Sequence, residues 1–337
     1  MMKRAIYFPH ISLPQNLWFT RSLIYWDKVS SIVPSEFMYE PEKLGEYTQR
    51  LVQLNLVEPI FPAAHLYGAD RFYEEFDGYI TSRELKSLSP HKRWHRLHME
   101  KLEAIGERLC SLGVAKPPTK QNRSWYSVHP DVSDAFMVYL TLVLGRTLDK
   151  GPASPITDKK KLLALISKDR PDFGLSQSDI RSVESRAVLL KGLLPVPRSN
   201  VSPEKIADFK FRYGTQMQAF RREVENAVSE LSAIADVRDR ASRSEHIVSG
   251  FREQIEDIER RMETWKWPKV DFSDVCSITA LSVTGHKAYE LSDERLGIVA
   301  GLGLLGAAYR AVTKERRATI SEPLAYAAFA NRRLGSR

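Results

Sequence analysis

Cysteine is nearly absent: the 337 residues contain two, Cys110 and Cys276, too far apart to form a ligand-spaced pair. That usage excludes a disulfide framework and a cysteine-based metal knuckle as organising devices, and fits a reducing cytoplasm, where the protein is expected to reside. A chain of this length buries a core large enough to need neither. Glycine-rich phosphate loops are missing too. The densest glycine run, Gly297 to Gly303, has no lysine at the P-loop spacing and lies inside an apolar helical pattern, not between a strand and a helix. There is no Gly-x-Ser-x-Gly elbow, no Cys-x-x-Cys pair and no His-Glu-x-x-His motif. P-loop nucleotide hydrolysis and serine or thiol catalysis are therefore disfavoured.

Long hydrophobic runs are also lacking. The most apolar stretch, 296–309, is shorter than the about 20 residues a bilayer needs and follows Asp293-Glu294-Arg295 directly. Gly297 and Gly301, four apart, give it the small-residue face of a tightly packed buried helix. The apolar run after Lys3-Arg4 ends at Pro9-His10, too soon for a signal-peptide core, so secretion and a membrane partner are not expected. No repeat of fixed period and no low-complexity segment is present.

What the chain has in quantity is a charged helical segment from Ser202 to Trp267. Ser202-Pro203-Glu204 is a helix start: a capping hydroxyl, a proline where the first turn tolerates one, and an acid at the positive end of the dipole. Ile206, Tyr213, Phe220, Ala227 and Ile234 recur every seven residues, flanked by Met217, Val224 and Leu231, so an apolar stripe runs along the rod. The pattern lapses from Asp236 to Arg240 and resumes at Ile247, Phe251, Ile255, Ile258 and Met262. This spacing predicts two helices folded into a long antiparallel hairpin.

Before the hairpin, strand and helix patterns alternate. Arg4 to Phe8, Lys28 to Val33, Leu56 to Ile60, Trp125 to Val128, Pro155 to Thr157 and Ala187 to Pro197 read as strands, and Ser277 to Val283 as one more beyond it; helices follow most of them. The expected fold is α/β and helix-rich, with a largely parallel sheet, open or closed into an irregular βα barrel-like core, and the hairpin inserted. The corresponding organisation is a core over 1–200, the hairpin over 201–268, and a return to the core over 269–337 with a strand and the glycine-rich helix.

Tyr7-Phe8-Pro9-His10-Ile11, Leu23-Ile24-Tyr25-Trp26-Asp27, Ile32-Val33-Pro34, Leu194-Pro195-Val196-Pro197, Val201-Ser202-Pro203-Glu204-Lys205 and Phe220-Arg221 together resemble an uncharacterised bacterial family, a domain of unknown function. The resemblance implies a bacterial or bacteriophage-associated protein. It supplies no catalytic residue and no cofactor.

A parallel sheet presents ligands to the carboxyl ends of its strands. The residues just past those ends include His10, Glu36, Glu58, His129, Asp158, Arg198 and His286. Imidazoles titrate near neutrality and carboxylates are hard oxygen ligands, so His10, His129 and Asp158 are the candidate acid–base set, with Glu36 and Glu58 as candidate metal ligands. A second candidate comes from charge. The net charge of +8 is partly local: between Ile80 and Trp125 ten Lys and Arg face Glu84, Glu100, Glu103 and Glu107 only. If Pro90 starts a helix, His91, His95 and His98 share one face of it. Beside them Lys92, Arg93, Trp94 and Arg96 could meet nucleic-acid phosphates, with the tryptophan stacking on a base.

Three functions follow from these features. The first is a non-enzymatic interaction protein that meets a protein partner, or a second copy of itself, through the hairpin. The second is a metal-assisted hydrolase working at the strand ends. The third is a nucleic-acid-binding protein.

Overall fold

The computed structural model describes residues 3–66, 71–81, 93–102, 105–148, 151–159, 161–162, 165, 177–194, 201–263 and 318–335. Lys92, His91, Arg198, His286, the expected strand 277–283 and the glycine-rich run 296–309 lie outside the described residues.

The first strand, β1 (Arg4–Tyr7), leads through α1 (Leu17–Tyr25) to β2 (Lys28–Ile32). Asn16 starts α1 by accepting the Phe19 amide at 2.9 Å. Then come α2 (Glu36–Tyr39), a short 3-10 turn, α3 (Glu46–Gln53) and β3 (Val57–Ile60). Helices α4 (Pro62–Leu66) and α5 (Phe72–Thr81) precede β4 (His95–His98), α6 (Met99–Leu102), α7 (Ile105–Ser111), β5 (Ala115–Lys116) and β6 (Trp125–Val128). Helix α8 (Pro130–Thr147) returns the chain to β7 (Ala153–Ile156).

The strands form two sheets. One is open, four-stranded and wholly parallel, in the order β3-β2-β1-β7; the other is antiparallel, in the order β4-β6-β5. The α/β, helix-rich class therefore stands, with an open sheet in place of a barrel. Successive residues of β1 serve opposite faces, as the two-residue strand period requires. Ala5 and Tyr7 join one apolar core, with α1 and the later helices; Ile6 and Phe8 join a second, with α5, α8 and the antiparallel sheet. Burial on both faces explains why β1 reads as a continuous apolar run.

Helix α8 lies against β7 so closely that a Cβ built on Gly145 would stand 2.6 Å from the carbonyl oxygen of Ala153. Gly145→Ala should therefore cost about 1–3 kcal/mol of stability, the range for overpacking, read as a lower urea midpoint. Gly78→Ala meets nothing within 4 Å and should cost nothing comparable.

The expected strand at Ala187 to Pro197 is instead the second half of helix α9 (Gln177–Leu193), with 195–200 outside the described residues. Its short run of Val and Leu satisfies either period. Burial of Ser185, Leu189 and Leu193 four residues apart, with Val188 half exposed, shows that the helical period won. The histidine-bearing helix from Pro90 is corrected as well: His95 to His98 is extended and pairs antiparallel with Trp125 to Val128, which puts His95 and His98 on opposite faces.

The helical segment begins as expected. Pro203 opens α10 (Pro203–Arg212), and Ser202 accepts the Lys205 amide. The rod breaks at Tyr213, continues as α11 (Gly214–Ala233), turns at Asp236, which accepts the amides of Arg238 and Asp239, and returns as α12 (Val237–Glu263). Its apolar stripe is spent inside the chain. Phe220, Val224, Leu231 and Ile258 are buried in the core that contains Leu23, Tyr25 and the terminal helix α13 (Ala325–Leu334). Tyr326 of α13 donates to the carbonyl of Ile24 at 2.7 Å, and Phe329 stacks on Tyr213.

Candidate functional site

In the order β3-β2-β1-β7 the chain steps from β1 to β2 and on to β3 in one direction, while β7 flanks β1 on the other side. The crevice outside the carboxyl ends of β1 and β7 is thus the topological switch point, where open parallel sheets bind ligands. The β1 end delivers Tyr7 and then His10; the β7 end delivers Thr157, Asp158 and Lys159. The Phe8 amide donates to the Ile156 carbonyl at 3.3 Å, extending the pairing to the lip of the crevice.

Tyr7 Oη donates to Asp158 Oδ1 at 3.4 Å, and Lys159 Nζ stands 3.5 Å from Asp158 Oδ2. Burial, reinforced by the Asp158 charge, pushes the Tyr7 hydroxyl far above its ordinary range, so it remains a donor. His10 reaches solvent and sits in the field of Lys159, Asp158, His95 and Lys101. Desolvation by the surrounding chain, then Lys159, hold its imidazole below the usual value against the pull of Asp158. At neutral pH the His10 ring is a free base.

From the second core, α6 supplies Lys101, which is 2% exposed. Burial alone brings its ammonium down to about 8, and no carboxylate among the described residues offsets the loss of water. His95, which also acts on His10, is tied to the start of α8. His95 Nδ1 lies 3.5 Å from Asp134 Oδ1, and Lys161 Nζ bridges Asp131 at 2.8 Å and Asp134 at 2.9 Å. His129 is the N-cap of α8, with its Nδ1 accepting the Asp131 amide at 3.3 Å, which leaves the ring proton of the neutral form on Nε2.

The two carboxylates expected as metal ligands go elsewhere. Glu58 binds the buried Arg4. Glu36 faces His98 Nε2 at 3.7 Å; burial holds that ring below its ordinary value, and its Nδ1 accepts the Glu100 amide. Among the described residues no three His, Cys, Asp or Glu side chains form a group that could hold a metal ion. The structure thus brings His10 and Asp158 to one crevice, makes His129 the N-cap of α8, and pairs Glu58 with Arg4 and Glu36 with His98. Of the basic set, Arg93, Trp94 and Arg96 lie on or beside β4.

Sequence reading missed Tyr7, His95 and Lys101. Tyr7 reads as core, and its ring does pack on Trp18 and Phe19. His95 was assigned to a helix face. Nothing in a sequence distinguishes a lysine at 2% exposure from a solvated one.

Asp158 also lines a groove of about 390 Å³ between α1, β7 and α9. Its walls are Trp18, Trp26, Ile156 and Val188, with Arg21 and Lys191 among the other lining residues. A concave, mostly apolar space of this size with a few polar groups has the character of a small-molecule site. No helix among the described residues is long and apolar enough to cross a membrane. No family model, curated protein or solved structure matches the chain.

Proposed function

We propose that the crevice at the ends of β1 and β7 is a catalytic site for a small anionic molecule, worked by acid–base chemistry. His10 moves the proton, Asp158, held by Tyr7, orients the polar end, and Lys159 faces the ligand's charge, with the field of the buried Lys101 behind it. The groove beside α1 takes the uncharged part. One observation carries this reading: at the switch point of the sheet His10, from the end of β1, sits in the field of Asp158 and Lys159 from the end of β7 and of His95 and Lys101 from a third distant stretch of chain. A proton carrier works best when its basic form is present at the operating pH, and His10 satisfies that condition. An interaction arm, by contrast, needs an unspent apolar stripe. The hairpin's stripe is buried, and Phe211 and Val237, its exposed large apolar residues, are scattered singly.

The test is a titration with inorganic phosphate, followed by the ring resonances of the histidines. Phosphate at about 1–10 mM should shift the His10 ring and raise its pKa, and Lys159→Gln should weaken binding about tenfold. In the absence of phosphate, Asp158→Asn should lower the His10 pKa further, because the carboxylate is what holds it up. Rings that do not respond to phosphate, or an unchanged His10 pKa in Asp158→Asn, would refute the site.

A further inference from the structure

We propose that the outer face of the antiparallel sheet binds single-stranded nucleic acid, an interaction independent of the crevice. The strand register fixes what this face displays. Arg96 pairs with Ser127, and Ser127 with Lys116, so these three residues form a row across the sheet; His98 pairs with Trp125 in the next row on the same side. The alternate residues, Leu97, Val128 and Ala115, are buried in the second core. The Arg96–Lys116 row is therefore the solvent side.

On that side each cation covers a tryptophan. The Arg96 guanidinium carbon lies 5.2 Å from the centre of the Trp125 ring, and Lys116 Nζ lies 4.6 Å from that of Trp94. Both rings are partly exposed, and Arg93, Arg96 and Lys116 are exposed. The hairpin between β5 and β6 adds Lys120 and Arg123, and Arg96 is held toward it by a 2.6 Å bond to Asn122. Segments 93–99 and 112–130 contain these five cations and no carboxylate. Acids bound the patch at both ends: Glu36 and Glu100 beside His98, and Asp131 and Asp134 beside His129 and His95. The Trp94 ring also meets the edge of His129, which steadies it.

Flat aromatic rings alternating with cations on an exposed sheet face match the chemistry of an unpaired strand: bases stack on the rings while phosphates meet the charges. A duplex buries its base faces and would use only the cations. An acidic peptide would likewise use the charges and leave the tryptophans idle. The rings are what single out the unpaired nucleic acid.

The experiment is fluorescence polarisation with fluorescein-labelled oligo-dT and oligo-rU of about twelve nucleotides in about 50 mM salt. Both should bind, with affinity falling as salt rises. Arg96→Gln with Lys116→Gln should weaken binding and flatten the salt slope by about 1–2. Trp94→Ala and Trp125→Ala should each weaken binding about tenfold with the slope unchanged, and Trp94→Phe, which keeps a stacking face, should recover most of it. His10→Asn should bind like the parent protein, so this result and the phosphate titration stand or fall separately. Failure of either oligonucleotide to bind, equal affinity for oligo-glutamate, or tryptophan variants that bind like the parent would each overturn the proposal.

Discussion

Arg221→Met is expected to lower the unfolding free energy by about 3–5 kcal/mol, seen as a large fall in the urea midpoint. The guanidinium is 5% exposed and joins the hairpin to the strand layer. Its Nη1 and Nη2 donate to the Asp27 carboxylate at 2.6 and 3.1 Å, and its Nε and Nη2 donate to the Tyr25 carbonyl at 3.2 and 2.7 Å. Methionine fills much of the volume but leaves the Tyr25 carbonyl without these donors and strips Asp27 of its guanidinium partner, with the Lys3 amide as its remaining hydrogen-bond donor among the described residues. Lys210 cannot take over, because its ammonium already donates to the carbonyls of Trp26 and Asp27 and burial has brought it down to about 7.

A mutant cycle separates the pair from the packing. Asp27→Asn keeps the shape, removes the charge and leaves one acceptor where there were two, so the double variant should cost well below the sum of the singles. Strict additivity would show that Arg221 acts through its stem alone, and a loss under 1 kcal/mol would mean the contact is dispensable.

The same region shows what was legible in advance. The start at Ser202-Pro203 and the seven-residue stripe depend on near neighbours in the chain, and both appear where the spacing puts them. The partner of that stripe was not legible. Burying it needs Leu23 and Tyr25 from one end of the chain and Tyr326 from the other, and a sequence period says that a face will be covered, not by what. The misread segments fail for a related reason. Ala187 to Leu194 is too short and too uniformly apolar to carry its own period, and His95 to His98 becomes a strand only because Trp125 to Val128 lies beside it. At the crevice, His10 and Asp158 were legible because they directly follow strands. Lys101 was not, since its burial comes from residues packed around it.

That burial gives Lys101→Met the opposite sign from Arg221→Met. With the folded ammonium at about 8 against a model-compound value of 10.5, the wild-type fold carries the full desolvation penalty below about pH 8. Between about 8 and 10.5 the unfolded chain binds the extra proton, so wild-type stability rises with pH through that window and is level above it. Methionine has nearly the same length and nothing to desolvate. The variant should therefore be more stable than the parent by about 3 kcal/mol at pH 7, and the gap should close as the pH approaches 10.5. Urea unfolding of both proteins at pH 7, 9 and 10.5 reads this directly. The same substitution should weaken phosphate at the crevice about tenfold, since it removes a charge that acts on His10. A chain that gains stability and loses its ligand through one side chain retains that lysine for the ligand. A variant no more stable than the parent at pH 7, or a gap that does not change with pH, would mean that the Lys101 ammonium is solvated and adds nothing to the field at His10.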